Sequence, residues 1–297
     1  MSSEKVSEQT RHLFLRAREA VRYNTSDMKT ELERARAQYE YEREHHARIL
    51  AAPAGEERAL AFAEAYDGLY AGMRSKVFLD QETEPKRKAV QKFRLLKRFL
   101  TSSSHVAECG PGNFHLAKVV APHVESLALV DVVNGNPKAK LPKNCKFYES
   151  DGVHLPAKLN DLDLVWSAHV VEHIHPEEVY DHLVDVRRTL ADGGNYVIFT
   201  PNRLSGPHDI SRRFSNVAEG LHLKEYTVRE LKQALKNAGY SKITHYAGGK
   251  GLYLKVPTWV PLLAEFKLKF WPRPLRRLFA SFLPVKAILG IIIVGQK

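Results

Sequence analysis

Only two cysteines, Cys109 and Cys145, occur in 297 residues, and neither sits in a C-x-x-C pair. A disulfide framework and a cysteine-based zinc ribbon are therefore both out of reach. Long apolar runs are missing too. The longest, AILGIIIVG at 287–295, is far short of the roughly 20 residues a membrane span needs. The opening MSSEKVSEQT has no apolar stretch of the signal-peptide kind, so a cytoplasmic location is the expectation. Acidic residues are in deficit, 34 against 45 basic, for a net charge of +11. That balance permits an anionic partner such as nucleic acid, acidic lipid or a phosphorylated substrate, and identifies none of them. No internal repeat and no low-complexity tract interrupts a composition of 44% hydrophobic and 27% charged residues, which is that of a globular protein large enough for a sizeable core.

What is present changes character near residue 100. Residues 1–85 read as a polar, helical extension or lid. DMKTELERARAQYEYEREHHARIL has dense charge and a thin stripe through Leu32, Ala35, Tyr39 and Ile49, suited to lying over another surface. PAGEE breaks it, and ERALAFAEAYDGLYAGM and KRKAVQKFRLLKRFL follow as helices. From His105 the near-continuous apolar runs HVAEC, SLALVD, KFYES, LDLVWSA and NYVIFTP alternate with helices. Such runs suit parallel strands buried on both faces. HPEEVYDHLVDVRRTLADGG reads as a helix begun at Pro176 and ended by Gly193–Gly194. TVRELKQALKNAG reads as one with a Thr227/Glu230 capping box and a Gly239 stop. The alternation predicts an α/β, Rossmann-like, doubly wound sheet.

The turn VAECGPGNF carries the first chemical signal. Two glycines after a strand let backbone approach a ligand, but the third glycine of a dinucleotide fingerprint would fall at His115 and is absent. That disfavours NAD, whose pyrophosphate needs the close approach, and favours an adenosyl ligand without phosphate. Asp131, at the end of the second strand, suits two ribose hydroxyls. Asp151, before Gly152, suits an adenine amino group.

VAECGPGNF, LALVD, ESDGVHLP, LDLVWSAHVVEHIHPEE, LADGGNYVIFTPNR and LHLKEYTVRELKQALKNAGY together resemble the class I S-adenosylmethionine-dependent methyltransferases. The likeness spans residues 86 to 256 and resumes at the last strand. It implies a methyltransferase domain at 86–297 with a seven-stranded sheet whose last strand is antiparallel. It also implies S-adenosyl-L-methionine as cofactor, held by Glu108, Gly110, Pro111, Gly112, Asp131, Asp151, Gly152 and Ser167. Two departures stand out: Phe114 occupies the usual third-glycine position, and VNGNPKAKLPKN is too short for the usual helix after Asp131.

HVVEH raises a second question. As H-x-x-E-H it matches an inverted zinc-protease motif, which needs a continuous helix where this sequence has a strand running up to Ala168. The segment is similar to E-x-x-E-H in ubiquinone-pathway O-methyltransferases and plant-type small-RNA 2′-O-methyltransferases. That likeness implies a divalent metal at His169, Glu172, His173 and His222, the last from HLKEYT. The rival readings are loop packing and a general base, with His173 and His222 leading and His208 and Asp209 behind them.

The insertion at 257–285 mixes Trp259, Phe266, Phe270, Trp271, Phe279 and Phe282 with Lys267, Lys269, Arg273, Arg276 and Arg277. Two proline-bounded amphipathic helices are expected. They suit a lid packed on the sheet, a peripheral contact at the inner membrane surface through 259–284, or RNA. The expected activity is O-methylation of a hydroxylated small molecule, sugar or lipid-linked acceptor. RNA 2′-O-methylation and a non-catalytic adenosyl-binding, membrane-docking protein are the alternatives.

Overall fold

The computed structural model describes residues 31–73, 83–134, 136 and 138–297. The first thirty residues of the N-terminal extension, and the segment joining its second and third helices, lie outside them.

Among the described residues, three α-helices precede the sheet: α1 (Glu31–Ala51), α2 (Glu56–Met73) and α3 (Thr83–Leu96). The chain then alternates through β1 (His105–Cys109), α4 (His115–Val120), β2 (Ser126–Asp131), β3 (Cys145–Glu149), β4 (Leu162–Ala168), α5 (Val179–Thr189), β5 (Leu190–Thr200) and α6 (Val228–Asn237). It closes with β6 (Lys242–Gly249), β7 (Leu252–Val256), three short helices and β8 (Ile291–Gln296). The sheet order is β3-β2-β1-β4-β5-β8-β6-β7. The first five strands are parallel, and β8 lies antiparallel between β5 and β6.

This is the expected doubly wound sheet with an antiparallel last strand, enlarged from seven strands to eight. The extra strand, β7, folds back on β6. The hairpin turn uses positive φ at Lys250 (52°) and Gly251 (86°), the twist that suits two antiparallel strands. As expected, no helix separates β2 from β3 among the described residues.

Alternate residues of each strand point to opposite faces. Ala107, Val165 and Ile198 pack with Leu183 and Val186 of α5 and Leu231 and Leu235 of α6. Val106, Leu164 and Val197 pack with Leu95 and Leu96 of α3 and Leu116 and Val120 of α4. The helix expected to start at Pro176 is shorter. α5 begins at Val179, and Gly193–Gly194 lie inside β5 rather than ending a helix. The α6 boundaries match the reading: Thr227 and Glu230 form a reciprocal capping box, and Gly239 takes φ +87° after the last turn.

The N-terminal helices lie across the loop before α6. Ala35, Tyr39 and Ile49 are buried, whereas Leu32, expected on the same stripe, is exposed. Tyr39 stacks on Phe214 at 4.9 Å, Glu42 accepts the Leu221 amide at 3.1 Å, and Arg58 pairs with Glu177 and Glu178. The insertion forms three helices instead of two: α7 (Trp259–Lys269), α8 (Arg273–Ser281) and α9 (Leu283–Leu289). Glu265 of α7 is buried and accepts the Val228 amide at 2.6 Å and Asn202 Nδ2 at 2.7 Å. This fastens the insertion to the positive N-terminus of α6.

Candidate active site

β1 lies between β2 and β4, so the crevice at the carboxyl ends of these strands is where a doubly wound sheet takes its ligand. The turn after β1 depends on two glycines in left-handed conformation, Gly110 at φ +66° and Gly112 at φ +50°. A Cβ at Gly110 would collide with the Val170 side chain. Phe114 also adopts φ +62°. The turn therefore keeps the backbone a third glycine would give. Left-handed φ at a residue with a side chain costs about 1–2 kcal/mol, and burial of the Phe114 ring, 1% exposed and edge-on to Phe147, offsets it.

A cavity of ≈ 290 Å³ opens beside this turn. Gly110, Gly112, Asp131, Asp151 and Gly152 line one side, and His169, Val170, His173 and Ile174 line another. Burial raises the Asp131 carboxyl to about 6, against the pull of the Val132 and Gly112 amides. Asp151 is held differently. Burial alone would raise it, but the His154 amide and ring and the Val153 amide outweigh that and hold it below the usual aspartate range. Its Oδ1 takes both amides at 2.8 and 2.7 Å and its Oδ2 takes His154 Nδ1 at 2.7 Å. Asp151 thus shapes the wall while presenting fewer free lone pairs than Asp131.

Three residues expected to touch the donor stand outside the cavity lining. Glu108 is buried on the α3 and α4 face of β1, where burial pushes its carboxyl up to about 8. Pro111 is buried in the turn, its carbonyl accepting the Phe114 amide at 2.9 Å. Ser167 is buried and hydrogen-bonds the Tyr196 hydroxyl at 2.8 Å, which in turn meets His182 Nε2 at 3.0 Å.

The histidines converge where the sequence order would not bring them. One donor atom each from Glu172, His173 and His222 lies within 4.8 Å of the others. His173 donates from Nδ1 to the Leu221 carbonyl at 2.8 Å, and His222 donates from Nδ1 to Glu225 at 2.9 Å. His173 is thereby left with a lone pair on Nε2. Burial would lower the His222 pKa, but its hydrogen bond to Glu225 and the nearby Glu172, Glu225 and Asp209 carboxylates raise it, so His222 offers its Nε2 lone pair only in the neutral form. The rings stand edge-on with centroids 4.7 Å apart. Glu172 is fully buried and accepts Thr200 Oγ1 at 2.9 Å and His169 Nδ1 at 3.2 Å. Burial would raise it, but the His169 hydrogen bond and the three imidazoles bring it down to about 2. His169, expected as a fourth ligand, lies outside the three-residue cluster and is exposed, at φ +62°.

Of the four candidate bases, His173 lines the cavity. His222 stands behind it. His208 is farther off, its Nε2 hydrogen-bonded to Ser205 Oγ at 2.9 Å, and Asp209 caps the turn at Ile210 and holds the Gly220 amide at 2.8 Å. Sequence reasoning missed Phe62 and Tyr66 of α2, together with His154 and His182, all of which line the cavity. Tyr66 is edge-on to His173 at 6.1 Å. For α2 no local motif existed; for His154 the ESDGVHLP segment was the available signal.

Residues 107–198 match the family described as Methyltransferase domain. Among solved structures, the chain is similar to a chain from the complex between the Haloferax volcanii Trm112 methyltransferase activator and a methyltransferase. There it has 18% identity and a TM-score of 0.51 over 78% of this chain and 96% of that one. It is also similar to an S-adenosylmethionine dependent methyltransferase from Mesorhizobium loti, at 15% identity and TM-score 0.47 over 70% and 98% of the two chains. A further similar structure is the Burkholderia thailandensis 1,6-didemethyltoxoflavin-N1-methyltransferase, with bound 1,6-didemethyltoxoflavin and S-adenosylhomocysteine. The values there are 15% and 0.49 over 83% and 92%. No curated protein matches. The matched segment gives the protein a methyltransferase domain, set in a fold shared with solved methyltransferase structures.

Proposed function

We propose that the protein transfers the methyl group of S-adenosylmethionine, its methyl donor, to an oxygen of a hydroxylated acceptor, a small molecule, sugar or lipid-linked compound, with His173 taking the hydroxyl proton. The observation that carries this reading is the 2.8 Å contact of His173 Nδ1 with the Leu221 carbonyl, an acceptor that only an N–H can meet. The His173 Nδ1–H is fixed on the Leu221 carbonyl, and the ring shares a cavity with Gly110 and Asp131. Burial and the neighbouring His222 lower its pKa to about 4, which keeps the imidazole neutral and proton-accepting at physiological pH. An acceptor oxygen pair forms the new C–O bond as the methyl C–S bond breaks, its electrons staying on sulfur, and the proton passes to Nε2. Alignment of oxygen, methyl and sulfur would supply about 7–11 kcal/mol, and the base about 10²–10⁴-fold.

The cluster favours a second reading of the same site. Glu172, His173 and His222 fit a divalent ion, since each imidazole is oriented through Nδ1 by an oxygen acceptor, as metal-bound histidines are. When bound, the ion would supply Lewis-acid polarisation of the acceptor oxygen. The exposed aromatics Trp259, Phe266 and Phe270 of the insertion support a peripheral membrane contact and hence a lipid-linked acceptor.

The test is transfer of labelled methyl to a panel of sugars, lipid-linked alcohols, phenols and RNA, with and without chelator. His173→Asn should lower turnover by about 10²–10⁴-fold and spare donor affinity. Activity abolished by chelator and restored by one metal would favour the ion, and labelling confined to RNA would replace the small-acceptor reading. Full turnover in His173→Asn would refute both roles of His173.

A further inference from the structure

A second cavity, of ≈ 380 Å³, lies between α8 and the loop joining β5 to α6. Four of its lining residues are cations, Arg203, Lys224, Arg273 and Arg276, and one, Glu225, is an acid. Glu225 is already engaged: its Oε1 accepts His222 Nδ1 at 2.9 Å and the His208 amide at 2.6 Å. Arg203 keeps an ion pair with Glu230 at 3.1 Å, and Lys224 Nζ lies over the Tyr226 ring at 5.0 Å. Arg276 Nε is buried and meets no hydrogen-bond partner among the described residues, and the same holds for one terminal nitrogen of Arg277. Arg277 Nε meanwhile donates to the carbonyl of Gly206 on the cavity wall at 3.2 Å.

Buried guanidinium N–H groups are costly to leave unpaired. Burial, then the neighbouring Arg273, Arg277 and Arg203, push Arg276 below the ordinary arginine value. These cations repel one another, and an anion arriving among them relieves the repulsion and supplies the missing acceptors. The cavity is also well placed. Its Glu225 wall holds His222, which stands 4.7 Å from the ring of His173 in the donor cavity. Leu275 and Phe279 of α8, with Phe282 just after it, are exposed and stand outside the cavity lining.

Resting on the acceptor-methylation reading above, we infer that this cavity receives the phosphate or diphosphate group of a phosphorylated methyl acceptor, bound by Arg203, Lys224, Arg273 and Arg276. The phosphate comes either from a lipid headgroup or from a soluble phosphorylated compound. RNA fits less well, because the ground beside the cavity is apolar rather than a continuing basic track.

The test uses the full chain and pyrophosphate as probe, followed by calorimetry at low salt, with S-adenosylhomocysteine binding measured in parallel. Pyrophosphate should bind, and Arg273→Gln/Arg276→Gln should weaken it on the order of tenfold or more with S-adenosylhomocysteine affinity unchanged. Vesicles of phosphatidylcholine with phosphatidic acid should compete with pyrophosphate if the source is a lipid. Binding of pyrophosphate without vesicle competition assigns a soluble phosphorylated acceptor. Either result supports the subsite. No pyrophosphate binding, or equal binding by the double variant, overturns it, as does single-stranded RNA bound more tightly than pyrophosphate and lost in the same variant. Methyl transfer to unphosphorylated acceptors without pyrophosphate binding would sink the subsite and leave the O-methylation reading standing. Pyrophosphate binding with no transfer to oxygen would do the reverse.

Discussion

Asp131→Asn separates what the carboxylate does for ligand binding from what it does for the fold. The substitution keeps the volume and one acceptor oxygen, so the Val132 amide, at 2.8 Å from Oδ1, retains a partner. What is lost is the negative charge facing the cavity. A hydrogen bond to a charged group is worth about 1.5–3 kcal/mol, so losing about 2–3 kcal/mol predicts donor affinity lower by roughly 30- to 150-fold. Stability should move the other way. Burial raises this carboxyl to about 6, so keeping it ionised at neutral pH costs the fold about 3 kcal/mol, and the Asn variant should melt no lower than the wild type. The folded value lies above the unfolded one, so the penalty is absent below about pH 4, grows between about pH 4 and 6, and is constant above that. Donor binding follows the ionised form. At pH 5 about one tenth of Asp131 is charged, which predicts roughly tenfold weaker binding than at pH 7 for the wild type and little change for the variant. Calorimetric titration with S-adenosylhomocysteine at the two pH values, with thermal melts of the same samples, measures both effects. Wild-type affinity retained by the variant would refute the ribose assignment.

Phe114→Gly and Phe114→Ala should rank in an unusual order. Both lose a buried ring, about 3–5 kcal/mol for the alanine change, but only glycine relieves the left-handed strain, so it should be the more stable by about 1 kcal/mol in denaturant melts. Equal stabilities would show that the φ of +62° is not strained. Gly110→Ala should abolish donor binding in the same titration, because the new methyl group meets Val170; near-normal affinity would mean that the turn can open. Thr200→Val removes the hydroxyl that donates to the buried Glu172 and should cost about 1–3 kcal/mol by thermal melt, whereas an unchanged midpoint would show the carboxylate finds another donor. Glu265→Ala should speed amide exchange across 259–289, since three donors at the start of α6 and the preceding loop lose their acceptor; unaltered exchange would place the anchor elsewhere.

The features legible in the sequence were local ones. Gly110 and Gly112 announce a turn because only that spacing lets backbone near a ligand, and Asp131 follows because it terminates an apolar run. Thr227 and Glu230 announce a helix start because the capping box closes within three residues. Ser167 stands outside the cavity lining for a reason of distance. Which way it points depends on Tyr196, 29 residues further on, claiming its hydroxyl. Glu108 carries the family's motif position, yet the pleat of β1 turns it toward α3 and α4 rather than toward the cavity. β7 was overlooked because GGKG reads as loop, although Lys250–Gly251 is itself a hairpin turn. The roof of the cavity was the least legible part. Phe62 and Tyr66 sit in a helix rich in alanine and acid, with no spacing to distinguish a ligand-facing ring from a packing one.

The polar N-terminal helices have a more specific task than covering the sheet. The loop at 220–225 supplies both the Leu221 carbonyl that fixes His173 and the His222 ring beside it. That loop is itself held from α1, where Glu42 takes the Leu221 amide at 3.1 Å and His46 Nδ1 meets the Gly220 carbonyl at 2.7 Å. Ile49, Ala61 and Ala65 meanwhile pack directly on Leu221 and Leu223. One peptide unit thus has its amide fixed by the extension and the neighbouring carbonyl fixed on the candidate base. The orientation of His173 is therefore set by a helix more than a hundred residues away in sequence. The N-terminal helices thus pack on the loop that carries the candidate site, and α1 reaches the candidate base His173 through the Leu221 backbone rather than by direct contact.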